Sequence, residues 1–504
     1  MNSRKKVLLV ILDGVGVAPK DPGNAVVLAQ TNTLARLWEV FPKTYLDASG
    51  EEVGLVDNTN GNSEVGHLTI GSGKIHYQNL LKINKSIEKG LFFSNETLNK
   101  LLTHSLENNS DIHLMGCLSD GSVHSHIEHF FAVLKFLSQR NFKKNVFIHA
   151  FTDGRDTPQK AASRYFEDLE KRISEYEVGE IGTICGRMYA MDRNGLNERT
   201  KLAYDLLVEG KGKKFPSWQK ALDASYQLGE TDEFIKPILL LENSLIKDND
   251  AILFMNFRPD RAVQLTRMLE KAPLKNIFLT GMVEYQTSFP TKVIFPKEYL
   301  SLPLGRVISE AGYAQLRLAE SEKFPHVTYF FNGGQPVQFR GEDRIKIPSP
   351  NVDSYDLKPE MSAYGILNAL NQSIANKRDY RFIVMNLANG DMVGHTGNLQ
   401  AGIQAMKVVD DIVLKTVRLA QKLNWVVIIT ADHGNIERMI EPNTGLPNTE
   451  HTQNPVPFLL VDNFLRQLIK NKQLRLGTLS DIAPTILNLM GLKQPSTMTG
   501  HSLL

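Results

Sequence analysis

Three short apolar runs that each give way to an aspartate constrain this chain more than any other feature, because they stand at its two ends. Residues Val7–Leu12 are continuously apolar and stop at Asp13-Gly14-Val15-Gly16. Residues 381–387, largely apolar, run into Asn389-Gly390-Asp391, and residues 425–430 run into Asp432-His433-Gly434-Asn435. Runs of this kind are what parallel strands buried on both faces require, and they place each aspartate just past a strand's carboxyl end. One sheet built from both ends of the chain, with the middle inserted as a separate domain, accounts for all three.

The middle repeats the pattern with different residues at the strand ends. Residues 112–118 precede Ser119-Asp120-Gly121-Ser122-Val123-His124, and residues 146–151 precede Asp153-Gly154-Arg155-Asp156. Residues 181–185 lead to Arg187, and Ala251–Phe254 leads to Arg258. Helical periodicity at residues 127–139 and 158–172 alternates with these runs, and a further helix is expected at 33–40. Such alternation predicts an α/β chain of two doubly wound domains, one formed by residues 1–78 and 304–504 and the other by the insert 79–303. Candidate hinges lie at residues 76–80 and 299–304, the second containing Pro303. Open sheets of this type bind ligands outside the carboxyl ends of their strands. In the insert that edge would present His124, Arg155, Asp156, Arg187, Arg193, Arg258 and Arg261.

Charge narrows the partner. With 57 basic and 55 acidic residues the formal charge is +2, which gives no electrostatic case for nucleic acid or a membrane surface. The two cysteines, Cys117 and Cys185, exclude a disulfide framework or a zinc–thiolate cluster and sit in apolar runs as reduced core residues would. Basic residues precede the first apolar run, but that run is too short for a signal peptide's core. No segment approaches the roughly 20 apolar residues that span a bilayer, so a cytoplasmic location is the default.

Asp391 and His395 stand four apart, so on a helix both project from one face, about 5–6 Å apart at Cβ. An Asp–His pair of that spacing is also a common surface feature, and the other members of the set change its meaning. Asp13, Asp432, His433 and His451, with Ser63, add hard oxygen and imidazole donors without sulfur. Two aspartates ~4 Å apart repel by about 4 kcal/mol at an effective dielectric near 20, so three together need a counterion. Seven converging ligands exceed one tetrahedral ion and suit two divalent ions. Ser63 follows the turn-forming run Asp57-Asn58-Thr59-Asn60-Gly61-Asn62 and could simply cap a helix. With metals beside it, its hydroxyl would instead be a nucleophile near neutral pH. Likewise Asp156 could move a substrate proton, or merely cap a helix before Pro158. A third metal site from His124, His126 and His129 is conceivable, but the set above is complete without it.

Arginine forks recognise phosphate and carboxylate bidentately, so five arginines repeated at one sheet edge imply a small, strongly anionic substrate. Taken together, Asp13 to Gly16, Gly61 to His67, Ser119 to His126, Asp153 to Pro158, Gly186 to Arg193, Asn256 to Arg261, Gly341 to Arg344, Asn386 to Gly397, Thr430 to Asn435 and His451 to Pro457 carry a resemblance. The chain resembles, over essentially its whole length, the cofactor-independent phosphoglycerate mutases of the alkaline phosphatase superfamily. The resemblance implies a phosphatase-like, metal-binding domain from the terminal blocks and a substrate domain from the insert. It implies a manganese pair, with Asp391, His395 and His451 on one ion and Asp13, Ser63, Asp432 and His433 on the other. Phosphoglycerate would be bound by His124, Arg155, Asp156, Arg187, Arg193, Arg258, Arg261 and Lys323.

The implied reaction interconverts 3-phosphoglycerate and 2-phosphoglycerate through a phosphoserine on Ser63, without added 2,3-bisphosphoglycerate. Asp156 would transfer the proton, and Ser63 would lie at a mouth between the two sheets of a monomer. A metal-dependent phosphomonoesterase would use the same serine and metals but release phosphate to water. A non-catalytic metal- or phosphate-binding scaffold would show gaps in the ligand set. Departures from the family pattern are Val56-Asp57-Asn58-Thr59-Asn60 before Gly61, Gly390 where proline is usual, and Ser122 and Met188 where glycine and tyrosine are.

Overall fold

The computed structural model describes residues 5–286, 289–290, 292–297, 302–376, 378–469 and 473–504. It divides into two compact units, Met1–Gln78 with Tyr299–Leu504, and Asn79–Glu298. The first join falls inside the expected hinge at 76–80. The expected second hinge, 299–304, lies partly outside the described residues. Both units are doubly wound α/β folds.

In the first unit the eight-stranded sheet has the order Glu342–Ile347, Ala314–Glu320, Tyr380–Leu387, Val7–Leu12, Val426–Thr430, Val456–Val461, Lys43–Asp47 and Gly477–Thr478. The first five strands are mutually parallel. Val7–Leu12 is wholly buried at their heart, pairing Val7 with Phe382 on one side and with Val426 on the other. Four adjacent parallel strands therefore deliver Lys323, Asp391, Asp13 and Asp432 to one edge. Helix Ser63–Ser72 brings the serine to that edge. Asn62, not Ser63, is its cap, accepting from Val65 N at 3.0 Å, and Ser63 is the first helical residue.

The second unit is continuous in sequence, with its own buried core. Its sheet runs Val293–Phe295, Phe278–Val283, Ala251–Phe254, Ile112–Cys117, Val146–Thr152, Glu180–Gly186, Ile238–Leu239 and Lys213–Lys214. The first six strands are parallel, and the two central ones, Ile112–Cys117 and Val146–Thr152, are entirely buried. Helix Ile127–Gln139 has the expected bounds. The helix expected at 158–172 instead spans Ala162–Tyr176, so Asp156 does not cap it. Its start is set from a distance, because Asp232 Oδ2 accepts from the backbone N–H groups of Ala161 and Ala162 at 2.7 and 2.8 Å. Among the described residues no helix is long and apolar enough to cross a membrane.

Candidate active site

In the first unit Ser63 is 6% exposed, and its hydroxyl faces three side chains. Asp13 Oδ1 lies at 3.2 Å and His433 Nε2 at 2.8 Å, and Lys323 Nζ donates to the oxygen at 2.7 Å. One proton thus has two acceptors within reach, while a buried ammonium stabilises the charge left on oxygen as it departs. Lys323 Nζ also lies 2.8 Å from Asp13 Oδ1 and 2.6 Å from Asp391 Oδ2. Burial pulls Lys323 down, but Asp13, Asp391 and Asp432 outweigh it and hold the amine above its ordinary pKa. Burial pushes Asp13 up, with Asp432 and Asp391 acting in the same direction. Burial also works upward on Asp391, but Lys323, His395 and His451 hold it well below the usual carboxylate range.

Asp391 lies in helix Asn389–Gly394 with His395 capping its end, as the spacing of four predicts. Asp391 Oδ1 is 3.2 Å from His395 Nε2 and 2.9 Å from His451 Nε2, and these two nitrogens face each other at 3.0 Å. His433 Nε2 lies 3.6 Å from Asp13 Oδ1, 3.7 Å from Asp391 Oδ1 and 3.5 Å from Asp432 Oδ2. Among the described residues, candidate ligand atoms within 4.8 Å of one another form three groups: Asp391, His395 and His451; Asp13, Asp391 and His433; Asp13, His67 and Asp432.

The hydrogen bonds behind the rings test whether a cation fits. The Nδ1 atoms of His395, His433 and His451 lie 2.7, 3.2 and 2.8 Å from the carbonyl oxygens of Thr449, Gly434 and Gly61. A carbonyl only accepts, so each Nδ1 carries a proton and each ring turns its Nε2 toward the carboxylates; the Asp391 carboxylate raises the pKa of His395, and at His451 burial works downward but Asp391 outweighs it. An Nε2 this close to a carboxylate oxygen needs a proton or a cation between them, so the cluster offers a divalent ion the place a proton otherwise fills. Asp432 Oδ2 is buried, 3.1 Å from His67 Nδ1 and 3.5 Å from His433 Nε2, so it faces into the same cluster. With N and O donors only, the set suits a hard or borderline divalent metal.

The second unit gathers the residues expected to hold an anion. Arg187 is buried, with Nη1 2.5 Å from Asp153 Oδ1 and 2.6 Å from Asp156 Oδ2, while its Nε and Nη2 have no hydrogen-bond partner among the described residues. His124 Nε2 is 3.8 Å from Asp156 Oδ2 and its Nδ1 is 3.7 Å from Asp260 Oδ1. Burial, then the Arg187 charge, pushes His124 down to about 4, so it is neutral at pH 7. Arg155 pairs with Glu233 at 3.2 Å and Arg258 with Asp260 at 3.0 Å. A cavity of about 300 Å³ is lined by Arg155, Arg193 and Arg261 together with Met188, Asp192 and Glu233. Its arginines are crowded: burial and then the charges of Arg187 and Arg155 lower the pKa of Arg261.

Lys323, expected to bind substrate, lies in the Ser63 cluster of the first unit. The three histidines of the conceived third metal site do not form a ligand group: His129 Nε2 pairs with Asn84 Oδ1, and His126 caps a helix. Sequence reasoning missed His67 and Asn386. Asn386 Nδ2 donates to Asp13 Oδ2 at 2.6 Å and lies 3.1 Å from His67 Nε2, and His67 Nδ1 is 3.1 Å from Asp432 Oδ2. His67 falls four residues after Ser63 on the same helix face, a signal the spacing did carry. Of the departures from the family pattern, Asn60 donates to His451 O at 2.5 Å, and Ser122 adopts a positive φ of 61°, where a glycine is at ease.

A buried serine hydroxyl among carboxylates, imidazoles and an ammonium, on an α/β sheet edge, defines a class: proteins equipped to activate a hydroxyl beside a cation. The comparisons narrow it. A family model described as BPG-independent PGAM N-terminus (iPGM_N) matches residues 83–290. Proteins named 2,3-bisphosphoglycerate-independent phosphoglycerate mutase from Clostridium acetobutylicum and Acetivibrio thermocellus are 47% and 44% identical, each match covering 99% of this chain and 99% of the relative. The phosphoglycerate mutase of Leishmania mexicana, crystallised at low cobalt concentration, is 28% identical and superposes with a TM-score of 0.53 over 99% of this chain and 97% of that one. The chain belongs to the 2,3-bisphosphoglycerate-independent phosphoglycerate mutases, an isomerase family.

Proposed function

We propose that the chain interconverts 3-phosphoglycerate and 2-phosphoglycerate through a phosphoserine on Ser63. The observation that carries this reading is the Ser63 hydroxyl, buried with Lys323 donating to it at 2.7 Å and His433 Nε2 at 2.8 Å. Ser63 Oγ attacks phosphorus, the bond from phosphorus to the substrate's C3 oxygen breaks, and that oxygen takes a proton. The C2 hydroxyl of the retained glycerate then attacks the phosphorus of the phosphoserine and gives up its proton, while the bond from phosphorus to Ser63 Oγ breaks and that oxygen regains its proton. Asp156, beside neutral His124, carries the proton between the two oxygens. Arg155, Arg187, Arg193, Arg258 and Arg261 hold the substrate's phosphate and carboxylate, with Arg187 offering its unpartnered Nε and Nη2.

Asp391, His395 and His451 would hold one divalent ion, and Asp13, Ser63, Asp432 and His433 a second, with manganese the ion the family resemblance suggests. Held by these residues, such ions would lower the hydroxyl's pKa and offset charge on the phosphoryl group. On this reading the first unit is the metal-binding domain and Asn79–Glu298 the substrate domain, acting as a cytoplasmic monomer on a small molecule. The near-neutral charge of +2 supports the absence of a nucleic-acid partner.

Phosphorus NMR of 3-phosphoglycerate with manganese and no 2,3-bisphosphoglycerate tests the reading. The expected product is 2-phosphoglycerate, whereas predominant inorganic phosphate would make the chain a phosphomonoesterase. A folded Ser63→Ala protein is expected to have no turnover, and mutase activity in it would sink the phosphoserine.

A further inference from the structure

Glu437 is a carboxylate with no place in the chemistry above, yet it is wholly buried. Its Oε2 accepts from the backbone N–H groups of Gly16 and Asn435 at 2.9 and 2.8 Å. Its Oε1 accepts from Asn454 Nδ2 at 2.8 Å and from the Thr452 hydroxyl. Those four donors belong to three separate segments, which follow Asp13, His433 and His451. The approach is close enough to dictate neighbouring residues. A Cβ at Gly16 would come within 2.5 Å of the Glu437 carboxyl group, and one at Gly434 within 2.4 Å of its Oε1. Backbone bonds run beside it, from Thr452 N to Gly434 O and from Ile436 N to Gly14 O, both 3.0 Å.

An ionised carboxylate is costly to bury unless its oxygens are satisfied, and here each takes two donors. The arrangement is therefore stable in one geometry only, with all three segments in place. We propose that Glu437 is the positioning residue that sets the mutual placement of the three loops carrying Asp13, Asp432 with His433, and His451. It does so without touching the ion or the substrate. The proposal rests on reading those residues as a metal centre.

Glu437→Gln keeps the shape but turns one acceptor into an amide N–H₂ facing two donors. In calorimetric titration of the full chain with Mn²⁺, this variant is expected to bind at least about tenfold more weakly than wild type, the range seen when groups supporting metal ligands are lost. With Co²⁺ in place of Mn²⁺, its visible absorption bands should shift, since ligand geometry has changed. At saturating metal the KM for 3-phosphoglycerate should stay within about twofold, because uniform substrate binding is held by arginines of the other unit. Wild-type metal affinity together with a wild-type cobalt spectrum in folded Glu437→Gln overturns the proposal. Should that variant not fold, Asn454→Ala, which removes one donor, decides the matter: a smaller loss of affinity supports the role and an unchanged affinity overturns it. A wild-type chain that takes up neither metal overturns the metal centre itself, and this role with it.

Discussion

Single residues here are governed by burial without a full set of partners. Glu320 ends the strand that precedes Lys323; its side chain is buried, and Oε2 has no hydrogen-bond partner among the described residues. Burial raises its pKa to about 7. Between the ordinary glutamate value and 7, the unfolded chain has released this proton while the folded chain retains it, so stability falls as pH rises through that window and levels off above it. Glu320→Gln should remove that slope. In urea melts it is expected to be more stable than wild type at pH 8 by up to about 3 kcal/mol and nearly equal at pH 4. Arg187→Ala works the other way, stranding the buried Asp153 and removing a partner of the more exposed Asp156, and is expected to cost roughly 3–5 kcal/mol in the same assay. The Asp and His residues clustered around Ser63 were legible in the sequence because aspartate and histidine stood out where apolar strands stop. Lys323 was placed only through the family resemblance, since a lone lysine carries no spacing signal. Glu437 and Asp153 were not seen as structural, because a buried carboxylate's partners are often backbone N–H groups, which every residue has.

At the scale of elements, the helix Ser63–Ser72 depends on how closely it packs. A Cβ at Gly66 would meet Asp432 O at 2.6 Å, and one at Gly71 would meet Phe331 O at 2.0 Å. Gly66→Ala should push the helix off the Asp432 strand end, costing about 1–3 kcal/mol in thermal melts and weakening manganese binding in titration. Helices with their own signals were readable, as Ile127–Gln139 shows. The start of Ala162–Tyr176 was not, because its cap is Asp232, far along the chain. The strand Ala314–Glu320 escaped notice for a related reason. Gln315 and Arg317 interrupt its apolar pattern, yet both are fully buried and bonded to each other at 2.8 Å.

For the whole molecule, the division into units predicts separable behaviour. Residues 79–298 expressed alone should melt cooperatively with no response to Mn²⁺, since their core is their own. The full chain should gain about 2.7 kcal/mol at a hundredfold excess of Mn²⁺ over its dissociation constant, and lose it to a chelator. A fragment that stays unfolded, or a full chain indifferent to the ion, would contradict the assignment. The sheet pairing also has a consequence in time. Val7 pairs with Phe382, so about 375 residues separate the first strand from its neighbour. At roughly 5–20 residues per second the ribosome takes about 20–75 s to supply that partner. The insert can complete its fold during this interval while the apolar Val7–Leu12 segment waits unpaired, exposed to chaperones and to aggregation. On the proposed reading, synthesis thus makes the arginine-bearing unit first and the surroundings of Ser63 last, so a ribosome stalled midway would leave a chain able to grip an anion but not to react with it.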